Sequence, residues 1–510
     1  MKKLWIALVV LCGIAQITKA QDTLAKYILT PKEKPSPQIN GAKIFGVRPG
    51  HPVVYTIAAT GNRPMTFSAK GLPAGLKLDS KTGMLSGSVN KTGTYTIALS
   101  AKNALGTATR NFKLVVGEEI SLTPPMGWNS WNIYATKLTQ ALVLANAKAM
   151  VSSGLINHGW SYMNIDDVWQ GKRGGEFHAI LPDSTTFPNM QALADEVHAM
   201  GLHIGIYSTP WIESYGHHVG GSADNPEGAF SPVKENVPRN KKLFPYKIGQ
   251  YTFVDQDVKQ FDKWGMDYLK YDWSPNELPE TKKMFDALRA GSRDIIFSLS
   301  NSTPFASIGD LSKVSNTWRT GGDIRDSWKS LKPRVLAQDK WAPYAKPGHW
   351  NDPDMMVVGW VGWGKGPYPS HLTPDEQYTH MSAWCLMSVP LLLGNDLTKL
   401  DAFTLSLLTN DEVIAVNQDP LGKQATVIAR NGELGIMAKD LSDGTKAAGL
   451  FNTGDAGTQN MVLSWKDLGI SGKYIVRDLW RQKDIGVFDN EFKTDVPQHG
   501  VVMVSLRKAK

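Results

Sequence analysis

Cysteine is nearly missing from this chain: its 510 residues contain two, Cys12 and Cys385. Cys12 falls in an N-terminal stretch with the pattern of a cleaved leader, which leaves Cys385 alone and excludes an intrachain disulfide. The fold is therefore expected to rest on core packing, not on covalent staples. Beyond that leader there is no apolar run long enough to cross a bilayer, so no membrane span is expected. Histidine is sparse at 11 residues, and no HExxH pattern or histidine cluster falls where ligands would converge. No metal is expected, and no cofactor: the glycine-rich segment 359–366 lacks the spacing and hydroxyl of a phosphate-binding loop. The formal charge of +8 is spread thinly. The densest basic pieces, 239–242 and 507–510, are short, which argues against a nucleic-acid partner.

The composition that remains, 42% hydrophobic and 20% charged, is that of a globular protein. The length calls for two or three domains. Lys2 and Lys3, the apolar run 4–14 and Thr18-Lys19-Ala20 have the order of a signal peptide cleaved after Ala20. Export to the periplasm, the cell surface or the medium is expected. Residues 21–35 are polar and proline-containing and read as a flexible leader. From 36 to 117, short alternations such as Val53-Val54-Tyr55-Thr56-Ile57 are separated by turn pieces such as Gly61-Asn62-Arg63-Pro64, the texture of a small β-sandwich. The pieces Gly71-Leu72-Pro73-Ala74-Gly75-Leu76 and Gly83-Met84-Leu85-Ser86-Gly87 resemble the immunoglobulin-like modules of secreted bacterial proteins. This module reads as a spacer or a binding accessory.

Between 122 and 420 the rhythm changes to short apolar segments alternating with helical ones at 138–152, 190–200, 255–264 and 279–290. Candidate strands at 126–131, 162–165, 203–207, 268–272, 295–299, 317–319, 349–350 and 390–393 make eight units. The predicted fold class is therefore α/β, a (β/α)8 TIM barrel. Residues 421–510 return to alternation, as in Val501-Val502-Met503-Val504, and predict a C-terminal antiparallel β-domain.

In such a barrel the chemistry sits at the C-terminal ends of the strands, and aspartates recur there: Asp166 and Asp167, Asp272, Asp323, Asp352 and Asp354, and Asp396. A single Asp at a strand end is more often a cap or turn former, a role that suits Asp326, Asp352 and Asp396. Five strand ends carrying acid beside Trp and Lys ask for more. Without a histidine cluster to hold metal, the natural use of paired carboxyls is chemistry at an acetal carbon. One attacks or stabilises the anomeric centre while the other protonates the leaving oxygen.

Seven pieces in order over about 122–506 resemble glycoside hydrolase family 27, the α-galactosidases and α-N-acetylgalactosaminidases. They begin with Pro125-Met126-Gly127-Trp128-Asn129-Ser130-Trp131, Ile165-Asp166-Asp167-Val168-Trp169 and Gly205-Ile206-Tyr207. Leu269-Lys270-Tyr271-Asp272, Trp318-Arg319-Thr320-Gly321-Gly322-Asp323-Ile324, Trp350-Asn351-Asp352-Pro353-Asp354-Met355 and Asn417-Gln418-Asp419-Pro420-Leu421-Gly422 complete the series. The resemblance implies double displacement with Asp272 as nucleophile and Asp323 as acid/base, their carboxyls about 5–5.5 Å apart. It also implies that Lys270 and Arg319 contact the sugar, and that Asp166 and Asp167 bind its axial 4-hydroxyl and 6-hydroxyl. Trp131 and Tyr207 would wall the pocket, with Asp354 and Met355 at its floor. Plain core packing is the competing role for Trp131 and Met355.

The sequence also departs from the family. Where relatives carry a Cys-Glu-Trp piece after strand five, whose Glu binds the 2-hydroxyl, this chain reads Leu299-Ser300-Asn301-Ser302-Thr303. Ser300 aligns with the Glu and is small, as in the N-acetylgalactosaminidases. The segment 211–250 is long for a βα connection and reads as a lid, a leaving-group subsite or a surface insertion. Trp360 and Trp363 are placed to stack on a second sugar. The disulfide that many relatives carry beside the nucleophile is absent; Trp273 and Ser274 stand there instead. The expected substrate is a galactose-containing oligosaccharide or polysaccharide. An α-N-acetylgalactosaminidase, a β-L-arabinopyranosidase and a non-catalytic carbohydrate-binding protein are the alternatives.

Overall fold

The computed structural model describes residues 24–230 and 247–509. The leader call at 1–20 and much of the 211–250 insertion lie outside the described residues. Eight parallel strands form the centre: β1 (Met126–Asn129), β2 (Tyr162–Asn164), β3 (His203–Ser208), β4 (Tyr268–Asp272), β5 (Ile296–Ser300), β6 (Thr317–Arg319), β7 (Trp350–Asp352) and β8 (Leu391–Leu393). They pair in sequence order from β1 to β7, and β8 pairs with β1. A bridge from Met356, just past β7, to Leu393 of β8 completes the TIM barrel.

Strand alternation sorts each strand's residues between two cores. On β4 to β6, Leu269, Tyr271, Phe297, Leu299 and Trp318 point outward into the main hydrophobic core under the helices. Burying Leu269, Phe297 or Leu299 contributes about 1.5–3 kcal/mol each. The alternate residues Tyr268, Lys270, Ser298, Ser300 and Arg319 face the barrel interior with Asp352 and Asp354. Register then sets the site: Asp272 lies opposite Ser300, Tyr207 opposite Lys270, and Arg319 opposite Asp352. A one-residue slip would exchange the two faces. The interior is tight, since a Cβ at Gly205 would stand 2.2 Å from the Asn164 Oδ1.

The first strand stops short of its expected end. Ser130 already has helical backbone angles, and Trp131–Tyr134 is a helical turn. The Asn129 Oδ1 accepts the Trp131 N–H at 2.9 Å, an Asx-type turn that ends the strand.

The N-terminal module is a β-sandwich. A sheet of Ile44–Val47, Gly106–Val116, Gly93–Asn103 and Thr66–Lys70 faces one of Pro52–Thr56, Met84–Ser88 and Leu76–Leu78. Between them lies a core built on Ile97, Leu99, Phe112 and Leu114. The C-terminal domain pairs a six-stranded antiparallel sheet with the hairpin-like pair Gln459–Ser464 and Glu491–Val496, around Leu450, Leu463 and Trp465. Cys385 is buried in the helix Pro374–Met387 and has no sulfur partner among the described residues.

The sandwich is clamped to the underside of the barrel. The buried Arg48 donates to Asp294 at 2.5 Å and to the carbonyls of Arg289 and Arg293 at 2.5 and 2.8 Å. Residues 24–35 depart from the flexible leader expected for them. Leu24, Tyr27, Ile28 and Leu29 pack on the main core, the Leu29 N–H donates to the Tyr378 hydroxyl at 3.1 Å, and Glu33 meets the buried His158 at 3.1 Å. Polar composition does not reveal these contacts, because they depend on four apolar residues in six positions meeting a groove.

Candidate active site

The barrel mouth gathers six carboxyls, from Asp166, Asp167, Asp272, Asp323, Asp352 and Asp354, around two cations, Lys270 and Arg319. Lys270 donates to the Asp166 Oδ2 at 2.8 Å, and its ammonium lies 5.6 Å from the centre of the Tyr207 ring. Both neighbours follow from the fold, since Tyr207 is its register partner and Asp166 closes the loop after β2. That loop is held from both sides. The Asp166 N–H donates to the Ser130 hydroxyl at 2.9 Å. The Asp167 carboxylate accepts from the N–H groups of Val168 at 2.8 Å and Gly216 at 2.6 Å, and from the Gln170 side chain at 3.1 Å.

Asp272, at the end of β4, is 6% exposed. Burial pushes its carboxyl up to about 7; Lys270 opposes this, while the charges of Asp166, Asp323 and Asp167 add to it. Tyr207 sits beside it, and burial together with the surrounding aspartates holds the phenol protonated. Asp323 is placed differently, on the loop after β6, with 55% of its side chain exposed. Its partial loss of water is outweighed by the charges of Arg319 and Lys270, which hold it below the ordinary carboxylate range. Arg319 reaches Asp323 at 3.4 Å and Asp354 at 2.8 Å. Asp354 also accepts the Ile324 N–H at 2.6 Å, so it braces the loop that carries Asp323.

Six carboxyls cannot all ionise around two cations in a space shielded from water. Burial raises Asp167 and Asp354 as well, and drives Asp352 up to about 6 against the pull of Arg319. Asp352 accepts the Asp354 N–H at 2.9 Å. Asp396 caps a turn through the Thr398 N–H at 3.0 Å, and Asp326 pairs with His371 at 2.8 Å.

The structure brings together Asp166, Asp167, Tyr207, Lys270, Asp272, Arg319, Asp323 and Asp354. Met355 packs with Tyr268 and Leu392 inside the barrel, and Trp131 lies at the rim partly buried against the same cluster. Ser300 lies opposite Asp272 in the sheet. It faces the barrel interior with Ser298, Lys270 and Arg319, and the next residue turns its side chain to Asp272. Asn301 has a left-handed backbone, φ +65°, and its carboxamide donates to the Asp272 Oδ1. Alternation hid this, because a residue in a left-handed turn after a strand no longer follows the strand's two-residue period. Gly216 was missed for a related reason: its backbone N–H, not a side chain, contacts Asp167.

Family models match most of this chain. The family model Alpha galactosidase A matches residues 123–222 and 241–419. The Alpha galactosidase C-terminal beta sandwich domain matches 431–506, and an Ig domain model matches 37–117. Alpha-galactosidase 2 of Arabidopsis thaliana is 36% identical over 410 residues, covering 78% of this chain and 93% of its own. The crystal structure of a candidate α-galactosidase from Bacteroides fragilis superposes with a TM-score of 0.83 at 33% identity, covering 94% of this chain and 99% of that one. A β-L-arabinopyranosidase of Geobacillus stearothermophilus in complex with arabinose gives a TM-score of 0.67 at 26% identity, over 76% of this chain and 98% of that one.

Proposed function

This chain belongs to the α-galactosidase A family of glycoside hydrolases, and from that premise we propose that it is a retaining exo-glycosidase for terminal α-D-galactosyl residues. Its substrates are galactose-containing oligosaccharides or polysaccharides, met after export. The observation that carries the mechanism is the unequal exposure of the two carboxyls. Asp272 is enclosed, where only a bound sugar ring can reach it. Asp323 is open over half its side chain, where a leaving group departs and water enters.

In the first step an Asp272 oxygen attacks the anomeric carbon, the glycosidic C–O bond breaks, and the Asp323 proton goes to the departing oxygen. In the second step Asp323 takes a proton from water, whose oxygen attacks the same carbon and releases Asp272. The free enzyme opposes this proton arrangement, since it favours a proton on Asp272 over one on Asp323. Bound sugar corrects it. Hydroxyls donating to Asp166, Asp167 and Asp272 stabilise the ionised forms, and a leaving group covering Asp323 removes the water that keeps it charged. The pair therefore titrates with apparent values that belong to both groups. Asp166 and Asp167 select the galacto configuration, because a sugar presenting its 4-hydroxyl elsewhere leaves buried charge unpaired.

A β-L-arabinopyranoside presents the same ring without the exocyclic hydroxymethyl, and the likeness to the Geobacillus enzyme keeps it as the second reading. Ser300, small and in register with Asp272 on the inward face, keeps an α-N-acetylgalactosaminide among the readings to be tested. Hydrolysis of nitrophenyl α-galactoside, α-N-acetylgalactosaminide and β-L-arabinopyranoside, with Asp272→Asn as control, tests the assignment. Fastest release from the galactoside, lost in the variant, is expected. Preference for either other sugar overturns the galactose assignment, and no release from any overturns the substrate assignment as a whole.

A further inference from the structure

Next to the acid/base, one cation is held in place without a salt bridge among the described residues. Arg325 follows Asp323 by two residues on the loop after β6. Its guanidinium lies over the Trp363 ring, 5.0 Å from the centroid. Its backbone is fixed by an N–H donated to the Ser330 hydroxyl at 2.9 Å. The segment carrying the aromatic platform is fixed in turn, because the Trp363 backbone N–H donates to the Asn132 carbonyl at 2.9 Å. Tyr368 stacks on the indole with centroids 6.4 Å apart.

Trp363 is thus already engaged by Arg325 and Tyr368, which leaves it a poor platform for a neutral second sugar. What the assembly presents to solvent is the exposed guanidinium. Of its two nearest acidic neighbours in sequence, Asp326 pairs with His371 at 2.8 Å, while Asp323 feels the Arg325 charge but makes its ion pair with Arg319 at 3.4 Å. Among the described residues Arg325 makes no salt bridge. A cation–π contact orients a guanidinium and leaves its charge and in-plane donors free. Those donors match an oxyanion in a bidentate fork.

We propose that Arg325 on Trp363 forms a leaving-group subsite for an anionic substituent, so that the preferred substrates carry galactose on an acidic sugar bearing a carboxylate or a sulfate ester. This rests on the α-galactosidase reading and deepens it. The guanidinium sits beside the acid/base, so an anion seated there fixes the leaving sugar with its glycosidic oxygen towards Asp323.

The test compares kcat/KM for α-galactosyl-glucuronic acid, its 6-sulfated glucose counterpart and neutral α-galactosyl-glucose, with nitrophenyl α-galactoside as reference. The wild type is expected to favour an acidic disaccharide over the neutral one by roughly tenfold, less at high salt. The carboxylate and sulfate arms identify which oxyanion is used. In Arg325→Gln the acidic-to-neutral ratio should fall to about one, and Arg325→Lys should restore part of it. A ratio near one in the wild type, or one that survives in Arg325→Gln, overturns the subsite while nitrophenyl α-galactoside hydrolysis upholds the enzyme. Failure to cleave that reference overturns both.

Discussion

Replacing Asp272 by Asn should inactivate the protein and stabilise it, and the stabilisation should depend on pH. A carboxyl held at about 7 instead of its ordinary 3.8 costs the fold on the order of 4 kcal/mol once ionised. The folded-state pKa is raised, so between about pH 4 and 7 the folded protein keeps a proton that the unfolded chain has released. Unfolding free energy contributed by this group therefore falls as pH rises through that window, and the penalty is complete above about 7. Asn carries no such penalty, and its loss of charge leaves Lys270 still paired with Asp166 at 2.8 Å. The variant should gain up to about 4 kcal/mol at pH 8 and less than half of that at pH 5. At about 2 °C per kcal/mol for a unit of this size, scanning calorimetry should show a rise in Tm of up to about 8 °C at pH 8. Equal shifts at the two pH values, or a lower Tm at pH 8, would refute the burial and charge crowding assigned to Asp272.

Asn301→Ala removes a donor to the Asp272 carboxylate. It should lower kcat/KM for nitrophenyl α-galactoside by roughly 10–100-fold and move the acidic limb of its pH profile upward, because the lost bond favoured the ionised form. Lys270→Met leaves Asp166 buried without its cation, a loss of about 3–5 kcal/mol readable by urea unfolding. Adding Asp166→Asn should recover much of that stability but no activity. Arg48→Ala should cost about 3 kcal/mol and speed proteolysis in the segment joining the sandwich to the barrel, while kcat stays unchanged.

Much of this site is legible in sequence because strands keep a strict two-residue period. Lys270 and Asp272 had to share a face, and the apolar residues alternating with them, Leu269 and Tyr271, had to face the helices. The barrel was legible for the same reason, as eight buried apolar segments leave few alternatives to a closed parallel sheet. What could not be read depends on local backbone reversals and distant partners. The left-handed turn at Asn301 carries its side chain to Asp272, and the Asx turn at Asn129 ends β1 two residues early. The docking of 24–35 needs a groove formed by residues some 350 positions away, such as Tyr378. Nothing in the sequence singles out Arg48, whose partners Asp294 and three backbone carbonyls lie some 240 positions away.

Double displacement at Asp272 is tested most directly by following nitrophenyl α-galactoside hydrolysis with proton NMR during the first turnovers, before the free sugar equilibrates between anomers. Two inversions predict that α-galactopyranose appears first and the β anomer accumulates only by mutarotation. If β-galactopyranose appears first, water attacks directly, and Asp272 is not the nucleophile.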